Sequence, residues 1–208
     1  MIKLIIFDID NTIMDFPINF ETEFKKVLNK FDVDIEPIEL YKAVGTYETN
    51  KEGVYYTKEK LLEVVNKVLN LNLPIDFIDE FFNMYNVLIS DIESSAIDTL
   101  KYLKNKYKVV ALTNWFTDSQ KSRLKVAGVL DYFDEVYGTD IVPMKPREES
   151  FMSVIGNLEP SECVMIGDNL KVDIEVPYEL GFNVYHLNKF GTSKYPTIRK
   201  IEELKERL

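Results

Sequence analysis

Apolar residues along this chain fall into two spacings, and the two alternate. Short apolar runs cover Ile2 to Phe7, Lys108 to Leu112, Glu135 to Tyr137, Cys163 to Ile166 and Phe182 to His186. Runs of this kind predict strands buried on both faces of a parallel sheet. Between them apolar residues return every three or four positions: Ala96, Ile97, Leu100 and Leu103; Leu124, Val126 and Ala127; Phe151, Val154 and Ile155; Ile174 to Leu180; and Ile201 to Leu208. That period predicts helices. Strands alternating with helices imply an α/β fold, a parallel sheet core with helices on both faces.

The stretch from about 16 to 94 breaks this rhythm. It has no run of the buried-strand kind and instead carries helix-spaced segments at Phe20 to Phe31, Leu40 to Val44, Leu61 to Leu69 and Phe77 to Leu88. Pro37, Pro74, Gly45 and Gly53 punctuate it. The reading is an all-helical domain, 16–94, inserted into a core domain made of 1–15 and 95–208. No internal repeat or low-complexity tract interrupts either part.

Composition narrows the class of partner. The 208 residues include 46% hydrophobic and 29% charged side chains, ordinary for a soluble globular protein. Acidic residues outnumber basic ones, 35 to 25, and the basic ones are scattered. A nucleic-acid binder needs clustered cations to neutralise phosphates, so neither nucleic acid nor an anionic membrane is expected as a partner. A small phosphorylated substrate stays open, because a metal ion and one or two cations can reverse the sign of a pocket. The single cysteine, Cys163, sits in an apolar run and reads as a small buried hydrophobe. The first apolar run is too short for a signal peptide, and no segment reaches transmembrane length. A reducing cytoplasm is the expected location. Oligomeric state leaves no mark in the sequence.

Four polar signals stand at the ends of the expected strands. Asp8-Ile9-Asp10-Asn11-Thr12 follows the first. Two carboxylates so close at a buried strand end repel each other unless a cation is present, and a divalent ion is the natural one. Thr113-Asn114 follows the second, where a hydroxyl and backbone amides can hold a phosphate oxygen. Lys145-Pro146 lies a short loop beyond the third, and a lysine can neutralise a carboxylate and a phosphate together. Gly167-Asp168-Asn169-Leu170-Lys171-Val172-Asp173 follows the fourth, with Gly167 expected to let the chain turn tightly. Each has an ordinary alternative: a polar turn, a helix cap, a surface lysine, an acidic helix start. Their joint placement decides. The carboxyl ends of parallel strands share one edge, and ligands bind in the crevice there.

The order Asp-x-Asp-x-Thr, apolar strand plus Thr, Lys-Pro, and Gly-Asp-x-x-x-x-Asp resembles the haloacid dehalogenase superfamily. The resemblance covers about 1–15 and 95–186, the Rossmann-like core. The helical insertion resembles that superfamily's cap, placed between its first and second motifs. The resemblance implies a Mg2+-dependent phosphatase acting on a small phosphomonoester, with no nucleic-acid or membrane partner. Asp8 would be the nucleophile that forms an aspartyl-phosphate. Asp10 would be general acid and then base, its backbone carbonyl also binding the metal. Thr113 and Asn114 would hold the phosphoryl oxygens, and Lys145 would pair with Asp8 and the phosphate. Asp168 would be a metal ligand, and Asp173 a supporting carboxylate.

Asp10 also bears on the reaction, because the dehalogenases of this superfamily lack a carboxylate there. Phosphosugar mutase is the alternative, ahead of a 2-haloacid dehalogenase or a non-enzymatic phospho-acceptor module. Two departures from the family pattern stand out. Glu148 replaces the second proline of Lys-Pro-x-Pro, and Val176-Pro177 follows the fourth motif, where proline is tolerated only in a first helical turn. His186, the sole histidine, is expected to be structural or at the surface and away from the motifs. Tyr47, Tyr55, Tyr56 and Trp115 are candidates for substrate contacts, although ordinary packing is the favoured explanation of Trp115.

Overall fold

The computed structural model of the chain describes residues 1–49 and 56–208, the side chains of 48 and 49 excepted. Six strands form one parallel sheet: β1 (Leu4–Phe7), β2 (Lys108–Leu112), β3 (Glu135–Tyr137), β4 (Cys163–Gly167), β5 (Asn183–Leu187) and β6 (Thr197–Ile198). Their order is β3-β2-β1-β4-β5-β6, so the chain winds outward from β1 in both directions. The short β6 escaped the sequence pattern because a two-residue strand carries no period.

Side chains alternate across the sheet, and each face finds its own helices. Ile5, Phe7, Val109, Ala111, Val164 and Ile166 point to one side, against Leu100 and Leu103 of α5 (Ser94–Lys104), Leu124 of α6 (Thr117–Val126) and Leu204 near the carboxyl terminus. Leu4, Ile6, Val110, Leu112, Cys163 and Met165 point to the other, against Phe151 and Val154 of α7 (Glu148–Ile155) and Ile174. Burial on both faces accounts for the unbroken apolar runs.

Among the described residues, four helices lie between β1 and α5 in sequence: α1 (Phe20–Lys30), α2 (Pro37–Thr49), α3 (Lys58–Leu69) and α4 (Ile75–Tyr85). They share a third cluster, in which Phe24, Leu40, Leu61, Val65, Phe77 and Phe81 are buried. Trp115, Phe116 and Met144 from the sheet's own loops complete that cluster, so the insertion packs onto the edge of the sheet rather than standing apart. Gly45 does not end α2 as expected but lies inside it. An interior glycine costs a helix about 1 kcal/mol relative to alanine. Here a Cβ at position 45 would meet nothing within 4 Å, because Gly45 faces a cavity. Gly53 lies outside the described residues.

Candidate active site

Strand register brings the polar tips level. Phe7 pairs with Ala111 on one side and Ile166 on the other. Asp8 follows Phe7, and its amide still donates to the Ile166 carbonyl at 2.9 Å. Thr113 follows β2, its amide donating to the Tyr137 carbonyl at 3.0 Å. Asp168 follows β4. All seven residues expected at the site, Asp8, Asp10, Thr113, Asn114, Lys145, Asp168 and Asp173, line one cavity.

Lys145 is the hub. Its buried ammonium donates to Asp8 Oδ1 at 2.7 Å and to Asp173 Oδ1 at 2.6 Å. Asn114 anchors the lysine's backbone at two points, donating to its carbonyl at 2.9 Å and accepting from its amide at 2.8 Å. The Asn114 side chain therefore serves the lysine loop, which the sequence pattern did not reveal. Neither Thr113 nor Asn114 caps α6; Asp140 accepts from the Thr117 amide there, at 2.7 Å. Asp173 accepts from the Asn169 amide at 3.1 Å through its second oxygen.

Gly167 is needed for clearance rather than for a tight turn. A Cβ built on it would lie 2.4 Å from Asp173 Cβ and Oδ2, so any side chain would expel that carboxylate. Pro177 is the third residue of α8 (Glu175–Glu179), within its first turn, where proline is tolerated. A π-helical stretch, Leu170–Ile174, precedes α8 and carries Asp173.

Three carboxylates outnumber the lysine. Oxygens of Asp8, Asp168 and Asp173 lie within 4.8 Å of one another. Burial drives the Asp8 carboxyl up to about 7 against the pull of Lys145. Burial and the Asp8 charge take Asp168 up to about 6. Asp173 is raised as well, chiefly by burial. Burial opposes the charge on Lys145, yet Asp173 and Asp8 together raise its affinity for a proton. An all-oxygen donor set with surplus negative charge fits a hard divalent cation such as magnesium.

Asp10 sits apart from this triad, and its carboxylate is claimed from behind. Arg123 Nη1 donates to Oδ1 and Gln120 Nε2 to Oδ2, each at 2.6 Å. Gln120 also donates to Thr113 Oγ1 at 3.0 Å. Neither residue emerged from the hydrophobic pattern, which assigned the inner face of α6 to Leu124, Val126 and Ala127. Val126 is in fact exposed, while Gln120, Arg123 and Leu124 are buried. The missed signal was the i, i+3, i+4 spacing of those three.

The cavity holds about 230 Å³. Ligand clefts commonly run about 300–1,000 Å³, so the space suits a small metabolite. The helical insertion contributes Phe16, Phe24, Tyr41, Val44, Gly45, Phe81 and Tyr85 to its walls, with no charged side chain among the described residues. Trp115 lines it too while stacking on Phe82 at 5.4 Å, so both readings of that residue apply. Tyr47 and Tyr56 do not line it. Both are buried, and Tyr47 is hydrogen-bonded to Thr139 Oγ1 at 2.6 Å. Tyr55 lies outside the described residues. His186 is buried, as a structural role requires, but it is not remote from the motifs: its Nε2 lies 2.9 Å from the Asp168 carbonyl.

Residues 2–177 match the family model described as haloacid dehalogenase-like hydrolase. The chain belongs to this family. The matched family is described as one of hydrolases, and the parallel sheet with its covering helices is the fold seen in a solved HAD-hydrolase structure. Among curated relatives, pyrimidine 5'-nucleotidase PynA of Streptococcus pneumoniae is 24% identical over 94% of this chain and 89% of its own length. The magnesium-bound HAD-hydrolase YfnB of Bacillus subtilis superposes with a TM-score of 0.77 at 19% identity, covering 99% of this chain and 98% of that one. L-2-haloacid dehalogenase of Xanthobacter autotrophicus gives 0.73 at 17% identity, covering 99% and 98%. These structural likenesses establish the fold. Among the described residues, no helix is long and apolar enough to cross a membrane.

Proposed function

We propose that this hydrolase is a magnesium-dependent phosphatase that cleaves a small phosphomonoester through an aspartyl-phosphate on Asp8. The observation that carries the reading is Lys145, buried and bonded to both Asp8 and Asp173, with Asp168 oxygen beside them. Asp8, Asp168 and the backbone carbonyl of Asp10 would hold the magnesium ion, with Asp173 supporting. When bound, the ion offsets the repulsion between an anionic carboxylate and an anionic phosphate.

The rest is the work of the chain. Lys145 keeps Asp8 in place, and Thr113 with the Asn114 backbone receives phosphoryl oxygens. An Asp8 oxygen attacks phosphorus and the bond to the leaving oxygen breaks as Asp10 donates a proton to it. Asp10 then removes a proton from water, which attacks phosphorus, releases inorganic phosphate and restores Asp8. Residues 16–94 act as a cap whose walls exclude water and touch the leaving group.

Among the described residues those walls are mostly aromatic and uncharged, which suits a neutral leaving group with a flat apolar face. A nucleoside monophosphate has that shape, in keeping with the nucleotidase relative from Streptococcus pneumoniae. The test is phosphate release from p-nitrophenyl phosphate and from a panel of nucleotides and sugar phosphates, with magnesium and with chelator. Release should need the metal and vanish in Asp8→Asn. Activity that survives both changes would refute the reading.

A further inference from the structure

A buried arginine that the reaction scheme leaves unused stands directly behind Asp10. Arg123 is fully buried. Its Nη1 donates to Asp10 Oδ1 at 2.6 Å and to Gln120 Oε1 at 2.8 Å, and its Nε donates to the Leu88 carbonyl at 3.0 Å. Its guanidinium lies 4.7 Å from the centre of the Tyr85 ring, itself a cavity wall. Its Nη2 is buried with no hydrogen-bond partner among the described residues.

This is a poor way to build a core. Desolvating a guanidinium is costly, and a buried ion pair is often no better for stability than apolar side chains of the same size. An unpartnered N–H adds to the cost. What the arrangement does achieve is geometric. With Gln120 on Oδ2, both Asp10 oxygens are fixed, and the pair of donors sits on one rigid helix. Leu88 lies in the link between α4 and α5, so the same arginine ties Asp10 to the connection between sheet and insertion.

We propose that Arg123 and Gln120 are positioning residues that aim the Asp10 carboxyl at the leaving group. The proposal rests on the phosphatase reading, in which Asp10 protonates that group. Correct placement of a general acid is worth about 10²–10⁴-fold, and it matters only where the leaving group needs a proton.

The test compares phenyl phosphate, whose phenolate leaves poorly unless protonated, with 2,4-dinitrophenyl phosphate, whose phenolate leaves unaided. Hydrolysis of both by the wild type checks the underlying reading; the inference is checked by the ratio of the two in variants. Arg123→Met should lower kcat/KM for phenyl phosphate by about 10–100-fold and for the dinitrophenyl ester by about threefold or less. Arg123→Lys, which keeps one donor, should recover part of the loss. In an Asp10→Asn background Arg123→Met should add nothing further. Gln120→Met should show the same selectivity on a smaller scale, and it carries the test with Arg123→Lys if Arg123→Met does not fold. Equal losses on both esters, or none on either, would overturn the proposal.

Discussion

At the carboxyl rim of the sheet, charged groups from three loops meet: Lys145 is hydrogen-bonded to Asp8 and Asp173, and oxygens of Asp8, Asp168 and Asp173 lie within 4.8 Å of one another. Across the same cavity, the helical insertion offers Phe16, Phe24, Tyr41, Phe81 and Tyr85 with no charge among the described wall residues. The first surface is specified atom by atom: Lys145 is held by Asn114, Asp173 by the Asn169 amide, and Asp173 in turn needs the bare backbone of Gly167. The second is specified by shape alone, through rings that pack edge-to-face and stacked. The comparison teaches a division of labour. On the proposed phosphatase reading, chemistry resides where the geometry tolerates no substitution, and selection of the substrate resides where many apolar side chains could serve.

Changes at the rim should therefore cut turnover, and changes in the wall should cut affinity. Lys145→Met is expected to do most damage. It strips the cation from two buried carboxylates, which should cost about 3–5 kcal/mol of stability in chemical denaturation. It should also lower kcat by about 10²–10³-fold, a preorganised charge being worth that much. A Lys145→Met protein that kept its turnover would erase the distinction between the two surfaces.

The next effect sharpens the picture of the rim by pH. In the metal-free fold, Asp8 and Asp168 bind protons up to about 7 and about 6, against 3.8 for an unhindered aspartate. A folded pKa above the unfolded one means stability present below about pH 4 that is lost as pH rises through the folded values. On the proposed reading magnesium would take the place of those protons, so its stabilising effect should be several degrees in melting temperature at pH 7.5 and much smaller at pH 5. Melting curves with magnesium and with chelator at both values measure it. An equal gain at the two pH values would place the ion elsewhere.

The smallest effect belongs to the wall. Tyr41→Ala removes one aromatic face, worth about 0.5–1.5 kcal/mol beyond the area buried. It should raise KM for a nucleotide about threefold to tenfold and leave kcat nearly unchanged. A fall in kcat with constant KM would move Tyr41 from the wall to the chemistry.

The same division decides what could be read from the chain in advance. Five of six strands were legible because the sheet is covered on both faces, which leaves short apolar runs in the sequence. Asp8, Lys145 and Asp168 were legible because carboxylates and lysine at strand ends are conspicuous against those runs. Arg123 and Gln120 were not, since helix periodicity follows apolar residues and the inner face of α6 is polar where it fronts Asp10. Gly45 looks like a helix break in the sequence because propensity carries no knowledge of a cavity beside the helix. Among the aromatic residues, Tyr41 and Tyr85 wall the cavity while Tyr47 and Tyr56 are buried out of it, and one Tyr looks like another until the helices are packed.

The central claim is that Asp8 carries the phosphoryl group between substrate and water. Acid-quenched samples, taken during magnesium-supported turnover of phenyl phosphate and digested for mass spectrometry, test it most directly. The peptide containing Asp8 should gain the mass of one phosphoryl group, and the gain should be absent from Asp8→Asn. Steady phosphate release with that peptide never modified, or with the modification on another residue, would contradict the account.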